Sequence, residues 1–265
     1  RTNKRPCKAY EGNPLNYREN IDITVFRENT EDLYAGVEYY PLPKKLSAIM
    51  AELHKKAKRF AEMPEDEVAL SCRLVTRTAS RNIIRDAFEF AKANGKKSVT
   101  IVEKPNVLRE TSGLFCREGR KVAQGYPGIK LEETNIDAMC MWLIKNPMDY
   151  EVLVTTNMFG DIISDLCAQL VGGLGFASSG NIGDKYAVFE PTHGSAPKYA
   201  GMNKVNPIAM MLATKLMLEY LGEKNSAERL EAAIAAVIKE GKVRTYDMGG
   251  KATTTEMAQA VADKL

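Results

Sequence analysis

The sequence is poor in histidine, with two among 265 residues, and its five cysteines never stand in a CxxC pattern. So few histidines disfavour histidine-rich zinc sites and most histidine-based catalytic triads. The P-loop, HExxH and GxSxG motifs are also missing from the sequence. An odd number of scattered cysteines favours free thiols in a reducing compartment.

Long apolar runs and an excess of one charge are missing as well. No run reaches the ~18 apolar residues of a membrane span. The 37 Lys and Arg residues nearly balance 34 Asp and Glu, which leaves a net charge of +3. We therefore expect neither a membrane protein nor a nucleic-acid binder. The length and the 45% apolar content fit one large or two modest globular domains.

Short β-branched runs alternate with helix-like stretches of apolar periodicity, which is typical of an α/β fold. The strands are expected at 21–27, 98–102, 151–155 and 186–189. The helices are expected at 47–60, 80–93, 112–124, 135–144, 161–171, 207–221 and 227–240. The charged, proline-bounded segment 39–66 interrupts this pattern, and we interpret it as a solvent-facing excursion or an interface arm.

The sharpest chemical pattern is NMFGDIISD, in which Asp161 and Asp165 stand four residues apart at the start of a predicted helix. This spacing puts both carboxylates on one helix face, where they suit Mg²⁺ or Mn²⁺. The alternative is a pair of acids that only complement the helix dipole. Asp137, within the apolar run IDAMCMWLI, predicts a metal or a cationic partner for a costly buried charge, or else an ordinary salt bridge.

Two further segments carry candidate substrate groups. RENTEDLYAG follows a predicted strand and offers Arg27 for a carboxylate and Tyr34 as a phenolic acid. Arg5 is a second possible carboxylate binder, and Lys104 follows the strand 98–102, where α/β sites gather. The alternatives are a surface arginine, a core tyrosine and a solvated lysine.

The segment FEPTHGSAPKYAG follows a glycine-rich stretch that does not complete GxGxxG, so a Rossmann motif is excluded. Small residues around His193 let backbone amides approach a phosphate or an adenine. Lys198 and Tyr199 lie close by in the sequence and suit additional negative charge.

Five motifs in one order carry a resemblance across the chain: RENTEDLYAG, EKPNVL, NMFGDIISD, GGLGFASSGNIGD and EPTHGSAPKYAGMNKVNP. The sequence resembles the isocitrate/isopropylmalate dehydrogenase family of metal-dependent β-decarboxylating dehydrogenases. RENTEDLYAG resembles the isocitrate branch. The resemblance implies an α/β fold of mixed sheets flanked by helices, in two domains. Residues 1–171 would form a small dimer-forming domain with a clasp-like arm at about 39–70, and 172–265 the C-terminal part of a large cofactor-binding domain.

The resemblance also implies roles for the substrate-binding residues. Arg5 and Arg27 would bind substrate carboxylates. Tyr34 would protonate the enol after CO₂ leaves, and Lys104 would help take the proton from the substrate hydroxyl.

For the metal, the resemblance implies that Asp161 and Asp165 hold Mg²⁺ or Mn²⁺ together with the partner subunit's Asp137. The metal would polarise the hydroxyl and then the keto group. The active sites would then be shared across a homodimer.

Cofactor choice follows from the same resemblance. His193 and Asn206 match adenine-binding positions of the family, and Lys198, Tyr199 and Tyr246 match positions that contact a 2′-phosphate. NAD-using relatives tend to have an acid and an aliphatic residue in place of Lys198 and Tyr199, so we expect NADP rather than NAD. One departure is Gly250, where strongly NADP-specific bacterial members carry an arginine.

The expected reaction is therefore the oxidative decarboxylation of isocitrate to 2-oxoglutarate. Two alternatives stay open: a non-catalytic regulatory subunit of a hetero-oligomeric NAD-dependent enzyme, and an enzyme for homoisocitrate or isopropylmalate. Family members carry a strand, a glycine-rich turn and a substrate loop before the position of Arg5. The sequence starts at Arg1 without them, so we expect little activity from this chain alone. The expected location is the cytoplasm or an organelle matrix.

Overall fold

The structure is a computed structural model that describes residues 2–265 and is built on a seven-stranded mixed sheet. Residue 1, with which the predicted first domain begins, lies outside the described residues. The strands are β1 (Thr2–Lys8), β2 (Asp22–Glu28), β3 (Glu38–Tyr39), β4 (Leu70–Ser71), β5 (Ser98–Glu103), β6 (Lys130–Asn135), β7 (Val152–Thr155), β8 (Ser178–Ile182) and β9 (Ala187–Pro191).

Helices cover this sheet and follow its strands along the chain. They are α1 (Lys44–Leu53), α2 (Lys58–Ala61), α3 (Arg77–Ala93), α4 (Thr111–Ala123), α5 (Ile136–Lys145), α6 (Asn157–Leu170), α7 (Ile208–Tyr220), α8 (Lys224–Glu240) and α9 (Thr254–Ala262). The predicted α/β class with a mixed sheet flanked by helices is confirmed. The four predicted strands are present within a few residues, whereas β1, β3, β4, β6, β8 and α9 were not predicted.

The strand order is β6-β5-β7-β2-β1-β8-β9. Strands β6, β5, β7 and β2 run parallel to one another, and β1, β8 and β9 join them by antiparallel pairing. Parallel strands end at the same edge of a sheet, and binding sites of α/β proteins gather at the carboxyl ends. The segments after β2, β5, β6 and β7 therefore lie at one edge.

The core consists of three apolar clusters. Two of them pack α3 to α6 against the parallel strands, around residues such as Ile23, Leu153, Phe88 and Ile101. The third joins α7, α8 and α9 to Phe176. The predicted boundary between two domains, at residues 171 and 172, stays a prediction. All five cysteines are free thiols, as expected.

The excursion between β3 and β4 is closed by a two-stranded antiparallel sheet, in which Tyr39 pairs with Leu70. The single helix predicted at 47–60 is wrong. The chain turns extended at His54 (φ −142°, ψ 115°), where α1 ends, and a short helical turn leads into α2. The His54 Nδ1 atom accepts a hydrogen bond from the Lys56 N–H at 3.3 Å, so a local side-chain contact replaces the helical continuation.

Candidate active site

Two arginines from neighbouring strands meet two aspartates of one helix. Arg27, near the end of β2, forms a salt bridge with Asp161 of α6. Arg5, in β1, donates from Nη1 to Asp165 Oδ1 at 3.0 Å and to Ser164 Oγ at 2.6 Å. Its Nη2 lies 3.7 Å from Asp161 Oδ1. Candidate residues from three separate segments of the sequence therefore form one cluster of Arg5, Arg27, Asp161 and Asp165.

Helix α6 aims both aspartates at this cluster. It begins after Thr156, which follows the buried strand β7 directly. Asp161 and Asp165 are one turn apart and both face Arg5, as their spacing predicts. Gly160 allows the close approach, because a Cβ atom at this position would lie 2.5 Å from the Arg27 Cγ atom.

Tyr34 belongs to the same cluster. Its hydroxyl donates to Asp161 Oδ2 at 2.6 Å, and the Arg27 guanidinium carbon lies 4.9 Å from its ring centre. The hydrogen bond to the Asp161 carboxylate raises the pKa of the phenol, and burial adds to this effect. Tyr34 is 53% exposed, so a bound molecule can reach the hydroxyl. The accessible hydroxyl can reach a bound molecule, which is the geometric requirement for a proton donor.

Lys104 and Asp137 form a separate pair. Lys104 follows β5, Asp137 lies in the first turn of α5, and their side chains form a salt bridge. The prediction of a costly buried charge at Asp137 is wrong, because its side chain is 67% exposed and only one face of α5 is apolar and buried. The cationic partner that the sequence analysis allowed for Asp137 is Lys104. The hydrogen bond from Lys104 lowers the pKa of Asp137.

Asp137 does not join Asp161 and Asp165 within one protomer. In residues 2–265, no three His, Cys, Asp or Glu side chains converge as a group that could hold a metal ion. Two carboxylates at one helix face still fit Mg²⁺ or Mn²⁺, since these ions take one or two protein carboxylates and complete their shell with substrate oxygens and water. Asp161 and Asp165 are also partly exposed, so an ion can reach them.

A large cavity lies beside the cluster. It has a volume of about 650 Å³ and is lined by the glycine-rich stretch 172–175 and by His193, Tyr199, Asn206 and Tyr246. His193 also lines a polar cavity of about 300 Å³ that contains Arg5 and Arg27. Four of the five residues predicted to bind the cofactor therefore line one cavity, and His193 connects it to the arginines.

Asn206 has a structural task in this cavity. Its Oδ1 atom accepts from the Ile208 N–H at 3.0 Å, and its Nδ2 atom donates to Asp247 Oδ2 at 2.9 Å. The first contact ties Asn206 to Ile208, the first residue of α7, whose N-cap is Pro207. Gly175 leaves room for this arrangement, since a Cβ atom there would lie 2.7 Å from the Asp247 carboxylate.

Lys198 does not line the cavity, but it lies over the ring of Tyr199, which does. A second cation, Lys204, lies beside the same ring and was not predicted from the sequence. Tyr199 and Tyr246 have ring centres 5.8 Å apart. Lys198 Nζ lies 4.9 Å from the Tyr199 ring, and Lys204 Nζ lies 4.9 Å from the Tyr246 ring and 5.7 Å from the Tyr199 ring. Hydrogen bonding with Tyr246 and the charge of Lys198 lower the pKa of Tyr199. The signal for Lys204 was its place in KYAGMNKVNP, the motif that contains Lys198.

Gly250 cannot carry a side chain in this conformation. A Cβ atom would lie 2.0 Å from the Arg244 carbonyl oxygen, a distance that backbone atoms cannot relieve cheaply. An arginine at this position is therefore excluded by local packing, and Lys204 is the cation that lies beside both tyrosine rings.

Helices α5 and α6 also expose apolar side chains. Met141 and Ile144 on α5 and Ile162 on α6 are all accessible in the protomer. The two helices pack against each other. We call the exposed residues Met141, Ile144 and Ile162 the α5/α6 face. None of the helices in the described part of the chain combines the length and apolar character needed to cross a bilayer.

Comparison with known proteins identifies an oxidoreductase. The family model for isocitrate/isopropylmalate dehydrogenase matches residues 2–261, and the chain belongs to this family. It is 45% identical over 263 residues to a 3-isopropylmalate dehydrogenase of Methanothermobacter thermautotrophicus, and the match covers 99% of this chain and 72% of that protein.

A second relative is a mitochondrial regulatory subunit of the isocitrate dehydrogenase (NAD) of Dictyostelium discoideum. It is 40% identical, and the match covers 99% of this chain and 68% of that relative. The crystal structure of an isocitrate dehydrogenase from Methylococcus capsulatus superposes with a TM-score of 0.87 at 39% identity, over 99% of this chain and 72% of that one. The relatives thus differ in substrate, and one of them is named for a regulatory role.

Proposed function

We propose that the protein oxidises and decarboxylates isocitrate to 2-oxoglutarate with NADP and Mg²⁺ or Mn²⁺. The observation that carries this proposal is the cluster of Arg5, Arg27 and Tyr34 around Asp161 and Asp165, beside a cavity of about 650 Å³. Guanidinium groups bind carboxylates with two parallel hydrogen bonds, which suits a substrate with several carboxylates.

Each residue of the cluster has a part in this reaction. Arg5 and Arg27 bind and orient substrate carboxylates, because their guanidinium groups lie side by side along Asp161. Asp161 and Asp165 would hold the metal, which would supply Lewis-acid stabilisation of the negative charge that develops on the substrate oxygens. Tyr34 donates the proton to the carbon from which CO₂ leaves. The cavity around His193 would hold the cofactor, which would supply the hydride acceptor when bound.

Lys104 removes the proton from the substrate hydroxyl in this proposal. Because Lys104 and Asp137 are paired within one protomer, a protomer that contributes Asp137 to its partner's site brings Lys104 with it. The exposed α5/α6 face supports a homodimer in which these helices meet, since association would bury Met141, Ile144 and Ile162.

Two alternatives are supported by the relatives. The 45% identity to a 3-isopropylmalate dehydrogenase favours a different 2-hydroxy acid. The 40% identity to an NAD-dependent regulatory subunit favours a protein that binds ligands without turnover. The presence of Tyr34, Lys104 and all three aspartates supports catalysis, because regulatory subunits tend to lose such groups.

A substrate panel tests the proposal. Purified protein with Mg²⁺, at high protein concentration because we expect little activity from this chain alone, would be given isocitrate, homoisocitrate or 3-isopropylmalate, each with NADP and with NAD. Reduced cofactor and CO₂ would be measured. We expect isocitrate with NADP to be the best pair. Turnover of isopropylmalate without isocitrate turnover overturns the substrate. Isocitrate binding by calorimetry, without any turnover, supports the regulatory alternative.

The Lys198→Asp variant tests the cofactor. We expect it to weaken binding of 2′,5′-ADP by roughly 30-fold, or ~2 kcal/mol, because a cation that bonds to phosphate is replaced by an acid that repels it. Binding of 5′-AMP, which lacks the 2′-phosphate, should change much less. The matched control is Lys185→Asp, because Lys185 is an exposed lysine in the turn between β8 and β9. Equal losses for both nucleotides would remove the basis for NADP.

A further inference from the structure

Arg73 joins the carboxyl ends of three neighbouring parallel strands. It lies between β4 and α3, and its Nε donates to Asp32 Oδ1 at 2.6 Å. Its Nη2 donates to Thr156 Oγ1 at 2.6 Å and to Glu103 Oε2 at 3.3 Å. Asp32 comes after β2, Glu103 ends β5, and Thr156 comes directly after β7. One guanidinium group therefore contacts the segments that leave three adjacent strands.

The two carboxylates in this network need a cation. Asp32 is 0% and Glu103 1% exposed, and a buried carboxylate without compensation is costly. Backbone groups occupy their remaining oxygens: the Met158 N–H donates to Asp32 at 3.0 Å, and the Thr156 N–H donates to Glu103 at 3.1 Å. Arg73 supplies the positive charge between them. The guanidinium presents five N–H donors in a rigid plane, whereas an ammonium group presents three on a flexible stem and holds several acceptors less firmly.

Each segment that Arg73 holds carries a residue of the proposed active site. Asp32 precedes Tyr34 by two residues, and Glu103 directly precedes Lys104. Thr156 is the N-cap of α6, the helix that carries Asp161.

The backbone at Asp32 adds to the need for a fixed anchor. It has φ 71° and ψ −146°, a conformation that is rare for residues other than glycine. Such a conformation persists only where the surroundings hold it, and Arg73 is part of those surroundings.

We propose that Arg73 is a positioning residue that fixes Tyr34 and the start of α6 for the active site of its own protomer and fixes Lys104, which goes with Asp137, for the site of the partner subunit. Sequence reasoning did not identify it. The inference rests on the proposed function for its kinetic consequence, whereas its structural consequence can be measured without turnover.

The test compares Arg73→Lys with Arg81→Lys. Arg81, in α3, forms a salt bridge with the buried Glu118 of α4. It is the control because it also pairs with a buried carboxylate but does not contact the three strand ends. We expect Arg73→Lys to lower kcat by roughly 100-fold, since small displacements of reacting groups cost about this much, while KM changes little. Arg81→Lys should leave kcat within about twofold of the unmodified protein. Thr156→Val removes only one of the Arg73 contacts and should give a smaller loss in the same direction.

Hydrogen exchange provides the readout that does not depend on activity. In Arg73→Lys, peptides covering 28–36, 103–108 and 156–161 should exchange faster together, whereas Arg81→Lys should affect α3 and α4 only. A folded Arg73→Lys protein with unchanged kcat, or with unchanged exchange in the three peptides, overturns the proposal. If the unmodified protein neither binds isocitrate nor turns it over, the proposed function fails, and the exchange data alone decide on Arg73.

Discussion

Replacing Asp161 by asparagine is expected to reduce kcat/KM by roughly 1,000-fold, or ~4 kcal/mol. The carboxylate of Asp161 accepts from Tyr34 at 2.6 Å and forms salt bridges with Arg27 and Arg5. Asparagine is nearly isosteric but neutral, and its NH₂ group cannot accept a hydrogen bond. The variant would lose a metal ligand and, at the same time, leave two adjacent guanidinium groups without their shared counterion.

The measurement has two parts. Steady-state kinetics give the loss in kcat/KM, and a Mn²⁺ titration followed by electron paramagnetic resonance gives the metal affinity without turnover. Asp149→Asn is the control, because Asp149 is exposed in a short helical turn outside the cluster. A variant that keeps both Mn²⁺ affinity and kcat/KM within tenfold of the unmodified protein contradicts the metal role of Asp161.

The sequence was most informative where short motifs carried several chemical groups at fixed spacing. NMFGDIISD predicted that Asp161 and Asp165 share a helix face, and both do face Arg5. Buried strands such as β5 and β7 were predictable because both of their faces are covered, which leaves continuous apolar runs. The polar strand β1, TNKRPCK, gave no such signal and contains Pro6. It pairs with β2 along its whole length, so tertiary pairing determines this strand against its local preference.

Two features of the site depend on geometry that no local pattern contains. Asp137 stands among apolar neighbours in the sequence, but α5 buries Met139 and Leu143 on one face and leaves Asp137 exposed on another. Arg73 is 30 residues from Glu103 and 83 from Thr156 along the chain. Only the parallel order of β5, β7 and β2 brings these partners to one guanidinium group.

Lys104 and Asp137 are separate from the Asp161 cluster within one protomer. This separation leads to a second prediction, that two inactive variants recover activity when they are mixed. Within one protomer, Lys104 lies after β5 and Asp137 at the start of α5, whereas Asp161 and Asp165 lie on α6. If the α5/α6 face joins two protomers, each active site combines Asp161 and Asp165 of one protomer with the partner subunit's Asp137. Variants Asp161→Asn and Asp137→Asn would then damage opposite halves of the same site.

Each of these two variants should be nearly inactive alone, and mixing them should restore activity. With random exchange of subunits, half of the dimers are mixed, and each mixed dimer has one site in which both aspartates are intact. The expected recovery is therefore about a quarter of the unmodified activity. Two different affinity tags would verify that mixed dimers have formed.

Mixing Asp161→Asn with Asp165→Asn is the matched control for this complementation. Both substitutions lie on the same helix, so every site in the mixed dimer keeps one damaged aspartate of its own α6. This mixture should stay inactive. If the first mixture also stays inactive although mixed dimers are present, or if sedimentation shows only monomers, active sites shared across a dimer are ruled out. Recovery in the first mixture alone would mean that each active site combines Asp161 and Asp165 of one protomer with the partner subunit's Asp137, which supports a dimer that meets on the α5/α6 face.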